Sequence, residues 1–296
     1  MNEQTTLKLS VWVAIFFAVF GIVWGVLISS GMIIFDGLYS LLSVALSSLS
    51  LVVYRQLQNS ADSDYFPFGK AHFEPLLVVF KSLVLVGMCG FSAANAVADI
   101  LAGGRSVSAG SALVYAVVST VGCITVAIIV QRVNKRVHSD LLDAERNQWM
   151  GDSVLSVAVL LGFSAALLIE GSSLAWLIPY TDPGMVIVAS LFFILFPLKN
   201  LLRSAREVIF YRVKGEVLAP VRSVAEDMAR ELGAEYRLRM VSLGRELSIE
   251  LNLCLPDAEF SVAEMDAMRD RVAAVVEGMG KQHWINIGIT RDTRWL

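Results

Sequence analysis

Apolar positions along the chain fall into six long runs, at about residues 9–29, 31–54, 75–102, 109–131, 148–169 and 183–203. Each is near the roughly 20 residues that a helix needs to cross a bilayer. Short polar breaks separate them: "SSG" after the first, "AGGRSVSAG" after the third and "EGSSLAWLIPYTD" after the fifth. The pattern predicts six spanning helices, and an even number of crossings puts both termini on one side of the membrane.

From about residue 212 the pattern changes. "EVLAPVRSVAEDMARELG" reads as an amphipathic helix ending at Gly233. "AEYRLRMVS" and "ELSIELNLCL" read as strands joined by a tight turn at Gly244. The second alternates strictly, with Leu247, Ile249, Leu251, Leu253 and Leu255 on one face. Ser261 and Glu264 form a capping box that opens "VAEMDAMRDRVAAVVEGMG", and "HWINIGIT" supplies a third strand. The order helix, strand, strand, helix, strand predicts a small α+β unit with helices on one layer of a three-stranded sheet. The predicted domains are thus a transmembrane domain over residues 1–211 and a small soluble domain over residues 212–296. A core this small gains from dimerisation.

Composition agrees with this division: 56% of the residues are hydrophobic and 17% charged, more apolar than an ordinary soluble domain. The formal net charge of −3 gives no reason to expect nucleic acid as a partner. Cys89, Cys123 and Cys254 are widely spaced and odd in number, so they read as packing residues and not as a disulfide framework or a zinc cluster. The first apolar run lacks the ending of a cleaved signal peptide and is expected to stay in the mature chain.

Basic residues are unevenly distributed. Lys8, Arg55, Lys70, Arg132, Lys135, Arg136, Arg146, Lys199, Arg203 and Arg206 lie on one side of the predicted spans, whereas the other holds little beyond Arg105. The positive-inside rule then places both termini in the cytoplasm of an inner- or plasma-membrane protein, in contact with membrane lipid.

Within the apolar runs the polar side chains carry the functional information. A carboxylate inside a spanning helix costs on the order of 2.5–3.5 kcal/mol on insertion scales and commonly marks an ion or proton pathway. Asp36 stands in the second run and Asp152 in the fifth. Ser40 follows Asp36 by one turn and Gln148 precedes Asp152 by one turn, so each pair shares a helical face. Ser43, Ser47 and Ser50 continue the first stripe, and Glu145 and Ser156 extend the second. The later serines also suit close helix packing. Asp99 is placed near the outer surface and expected to be solvated, and Lys81 is expected to reach toward the cytoplasmic side. His72 and His138 read as solvated residues near the cytoplasmic surface.

These features together resemble the cation diffusion facilitator family: six spans, an acidic position in the second paired with one in the fifth, the loop "YFPFGKAHFEPL" and an α+β tail. The loop has an aromatic-Gly-basic-Glu pattern at Phe68, Gly69, Lys70 and Glu74, and the sixth run opens with Asp182. The resemblance implies an all-α six-helix transmembrane domain followed by a cytoplasmic, ferredoxin-like α+β domain for dimerisation or regulation. It also implies a homodimeric antiporter that exports a divalent metal cation in exchange for protons. The metal is the substrate, and no organic cofactor is implied. Carried over position by position, the metal ligands are Asp36, Ser40, Gln148 and Asp152.

The middle two positions depart from the family's zinc carriers, which have Asp and His where this chain has Ser40 and Gln148. Two carboxylates, a hydroxyl and an amide offer oxygen alone, which suits harder ions such as Mn²⁺ or Fe²⁺ better than Zn²⁺. Without a histidine, proton exchange rests on the aspartates. The family's loop histidines are also missing, since the loop offers Asp62, Asp64, Lys70 and His72, and the tail holds a single histidine, His283. Transport of a monovalent or organic cation and a non-transporting membrane scaffold or sensor remain as alternatives. No nucleophile triad, HExxH or phosphate loop points to an enzyme.

Overall fold

A computed structural model describes residues 3–58, 69–137, 139–213, 215–244, 246–255, 261–279 and 282–296. Asp62, Asp64, Phe68 and His138, singled out above, lie outside the described residues. By packing, the chain divides into two compact units, Met1–Val53 with Lys81–Leu198 and Tyr54–Phe80 with Lys199–Leu296.

Six helices are long and apolar enough to cross a membrane. They are α1 (Glu3–Leu27), α2 (Gly31–Gln58), α3 (Phe73–Leu101), α4 (Ala109–Val137), α5 (Asp140–Ile169) and α6 (Ile178–Val208). Large apolar side chains such as Trp12, Phe16, Phe91, Leu168, Phe192 and Phe196 are exposed on them, as a surface facing hydrocarbon requires. In the first unit α4 and α5 form the most extensive helix pair, with α1 against both.

Helix ends extend past the apolar runs where the flanking residues remain good helix formers. α5 starts eight residues before its apolar run, through the polar stretch "DLLDAERN". Asn134 of α4 closes the turn into it, donating to Asp143 at 2.8 Å and accepting from the Ser139 backbone N–H at 2.9 Å. α6 also starts before its apolar run, after a short 3-10 helix at Ala175–Leu177, and continues through Pro183. Proline has no N–H to offer the carbonyl four residues earlier. That carbonyl belongs to Pro179, and it accepts instead from the Arg105 N–H at 2.8 Å.

In the second unit the α+β tail consists of α7 (Gly215–Leu232), β1 (Glu235–Leu243), β2 (Glu246–Cys254), α8 (Val262–Glu277) and β3 (Gln282–Thr290). The sheet order is β1-β2-β3, with β1 antiparallel and β3 parallel to the central strand. The parallel pairing follows from the α8 crossover, which lets β3 return in the direction of β2. The alternating leucines and Ile249 of β2 are all buried, against Leu218, Val221, Ala225 and Met228 of α7 and Met268, Val272 and Val276 of α8. The capping box is formed: Glu264 N–H donates to Ser261 Oγ at 3.2 Å, and Ser261 N–H donates to Glu264 Oε2 at 2.7 Å. Gly244 makes the hairpin turn with φ of 59°, a left-handed conformation that suits glycine.

Candidate metal site

The site lies in the first unit and is built by α2, α4 and α5. Asp36 is five residues into α2 and Tyr115 six into α4, so a rise of about 1.5 Å per residue puts both roughly 8–9 Å from the starts of their helices. Tyr115 is buried and its hydroxyl donates to Asp36 Oδ2 at 2.9 Å. The ring of Phe20, from α1, stacks on Tyr115 at 5.5 Å between centroids.

One turn further along α2, a cavity of about 240 Å³ opens between α2 and α5. Its lining includes Ser40 and Ser43 from α2, Asn147, Gln148 and Asp152 from α5, and the rings of Tyr39 and Phe193. Three of the four residues expected to hold a metal therefore share one cavity. Asp36 is not among its lining residues; its carboxylate is turned to Tyr115. Asp36 stands one helical turn before Ser40, which lines the cavity, so its carboxylate lies on α2 one turn away from the pocket.

Behind the cavity a chain of hydroxyls joins α4 to α5. Ser119, one turn after Tyr115 on α4, shares a hydrogen bond with Ser156 at 3.0 Å, and Ser156 donates to the Cys123 sulfur at 3.8 Å. The stripe expected along α5 thus divides. Asp152 and Gln148 face the cavity, while Ser156 faces α4. Glu145 binds α1, accepting from Ser10 Oγ at 2.5 Å, and Ser10 in turn accepts from Trp149 Nε1 at 2.6 Å. On α2, Ser50 accepts from Lys81 at 2.8 Å, so this lysine is tied to a neighbouring helix.

At the other ends of these helices a second polar group differs from expectation. Asp99 pairs with Arg105 at 2.5 Å and remains partly exposed, so the surface residue also has a partner: the Gly103–Gly104 turn brings the guanidinium back onto the helix that precedes it. Asp182 is buried and accepts from Ser30 Oγ at 2.6 Å, Gly31 N–H at 2.8 Å and Met32 N–H at 3.2 Å. It caps α2 from α6, a role that sequence reasoning missed. Asn147 and Tyr115 were missed as well. Among the described residues no group of three or more His, Cys, Asp or Glu side chains is placed to hold a metal.

One carboxylate, Asp152, in a polar pocket between membrane-crossing helices, with a second, Asp36, one turn before Ser40 of its lining, is an arrangement that suits a cation, and comparison with known proteins agrees. The family described as the cation efflux transmembrane domain matches residues 7–210. The chain belongs to this family. Membership and the six apolar helices make it an integral membrane protein and support transport of a metal cation out of the cytoplasm. The α+β tail after the matched region is consistent with the family's fold. No curated protein matches the chain.

Proposed function

We propose that this cation efflux protein is a homodimeric, proton-coupled antiporter that exports a divalent cation of the Mn²⁺, Fe²⁺ or Zn²⁺ class. Asp36, Ser40, Gln148 and Asp152 are its transport ligands. The observation that carries this reading is the convergence of Ser40, Gln148 and Asp152 on one cavity, with Asp36 one turn before Ser40 on α2.

The donors are oxygen atoms. Carboxylate, hydroxyl and amide oxygens favour hard cations, and the absence of imidazole or thiolate among the four ligands removes the donors that would favour zinc most. Asn147 adds a second amide beside Gln148. Two acidic groups in apolar surroundings need positive charge close by. A divalent ion supplies it in one state and protons in the other, which couples the two fluxes in opposite directions. Alternating access then carries the site between the two faces of the membrane.

Flux into proteoliposomes with an internal pH-sensitive dye tests the proposal, with Mn²⁺, Fe²⁺, Zn²⁺, Co²⁺ and Na⁺ added singly. A proton flux with a divalent ion that disappears in Asp152→Ala is the expected result. Flux with Na⁺ alone would redirect the reading to a monovalent carrier, and silence for every ion in a folded dimer would favour a scaffold.

A further inference from the structure

We propose that Tyr115 is a positioning residue that withholds Asp36 from the ion cavity and thereby sets how tightly the transported cation is held. The inference rests on the ligand assignment above and adds to it a residue from α4, a helix that contributes no ligand.

Three observations support it. The cavity is lined by Ser40, Gln148 and Asp152, whereas Asp36, one turn from Ser40, places Oδ2 2.9 Å from the Tyr115 hydroxyl. The Tyr115 ring is held by packing independent of that bond: it is 2% exposed, lies against Phe20 and belongs to the apolar cluster of the first unit. The hydroxyl also occupies a space that Gly21 of α1 leaves open. A Cβ on Gly21 would sit 2.7 Å from the Tyr115 oxygen and 3.3 Å from the Gly37 Cα. The chain thus keeps α1 free of a side chain where the Tyr115 hydroxyl lies.

A hydrogen bond to a charged acceptor is stronger than one between neutral groups. A cation that recruits Asp36 must therefore compete with Tyr115 for the same carboxylate. The bond weakens the fully ligated state and speeds its dissolution, which a transporter needs in order to release what it binds. Removing the hydroxyl while keeping the ring should tighten binding and slow release.

The test uses the full-length protein, Tyr115→Phe and Asp36→Ala, with Mn²⁺ and Zn²⁺ as probes in equilibrium binding and in proteoliposome flux. Tyr115→Phe should bind the transported ion about tenfold more tightly, with KM and kcat both falling, even as its melting temperature drops by the loss of one buried hydrogen bond. A merely structural tyrosine would not lower KM. Gly21→Ala, which crowds the hydroxyl, should shift affinity in the same direction and serves as the second variant if Tyr115→Phe does not fold. Unchanged or weaker binding in Tyr115→Phe, with Asp36→Ala inactive, overturns the role of Tyr115 and leaves the ligand assignment standing. If Asp36→Ala binds and transports both ions like the parent, or the parent binds neither, the ligand assignment fails and this proposal fails with it.

Discussion

Asp182, in α6, accepts a hydrogen bond from the backbone N–H of Gly31 at 2.8 Å, so a carboxylate remote in sequence caps the first turn of α2. The first N–H groups of a helix have no partner within it, and a nearby negative charge also suits the helix dipole. Arg105, with Nη1 3.9 Å from Asp182 Oδ2, offsets part of the buried charge. Asp182→Ala leaves the Gly31 and Met32 N–H groups and the Ser30 hydroxyl without their acceptor. It is expected to destabilise the protein by on the order of 3 kcal/mol. Asp182→Asn retains an acceptor and should lose less. Thermal unfolding in detergent and faster amide exchange at Gly31 and Met32 check this, and an unchanged melting temperature in Asp182→Ala would remove the cap from the account.

Gly37 adjoins Asp36 and faces the backbone of α1. A Cβ there would meet the Ile22 nitrogen at 2.7 Å and the Ala18 oxygen at 2.8 Å. These are backbone atoms that cannot rotate away, so Gly37→Ala must push the helices apart. Overpacking of this kind costs about 1–3 kcal/mol, more than the roughly 1 kcal/mol gained from the better helix propensity of alanine. Gly110, with nothing within 4 Å of its Cβ position, supplies the control. Gly37→Ala should lower the melting temperature and Gly110→Ala should not.

These two relationships show where sequence reading stops. The six helices were legible because an apolar run long enough to span a bilayer has few other interpretations. Their ends were not, since α5 and α6 continue through residues polar enough, or rich enough in proline, to look like a break. In the tail, the alternation at Leu247–Leu255 identified the central strand, but only the crossover through α8 determines that β3 runs parallel to it. Asp36 and Asp152 stood out as charges in apolar segments. Tyr115 did not, because an aromatic within an apolar run looks like any packing residue until its hydroxyl is seen on Asp36. Asn147 lies outside the apolar run, and the capping role of Asp182 depends on a partner helix distant in sequence.

The tail gives a pH-dependent prediction. Arg271 of α8 donates to both carboxylate oxygens of Glu231, the penultimate residue of α7, at 2.6 and 3.0 Å, and this holds the Glu231 carboxyl below the usual glutamate range. A carboxyl with a lowered folded-state pKa binds protons more readily in the unfolded chain. Its contribution is therefore fully present above the unfolded value, about 4.3, and is lost as pH falls through the lower folded value. The pair is solvent-exposed and screened by salt, so the effect is small. Amide protection factors along α7 and α8 should fall on acidification below about pH 4, and Arg271→Gln should reduce that fall while leaving the β2 amides unaffected. Equal acid sensitivity in parent and variant would remove the pair as its cause.

Ion preference is open to a direct test at the cavity. Ser40 and Gln148 line it with a hydroxyl and an amide, and neither brings charge or a nitrogen donor to the ion. Gln148→His together with Ser40→Asp supplies both. Imidazole suits zinc, and most sites that contain it favour zinc over manganese. A tenfold change in preference needs about 1.4 kcal/mol, a modest demand on two exchanged ligands. The double variant is therefore expected to raise the ratio of Zn²⁺ to Mn²⁺ flux by at least about tenfold. Asn147→His is the informative companion, because Asn147 lines the same cavity one residue away and so projects about 100° around the helix. If that change alone moves the ratio and the double variant does not, the α5 ligand beside Asp152 is residue 147. If neither moves it, the ion does not pass between α2 and α5 at this level, and the cavity is not the transport site.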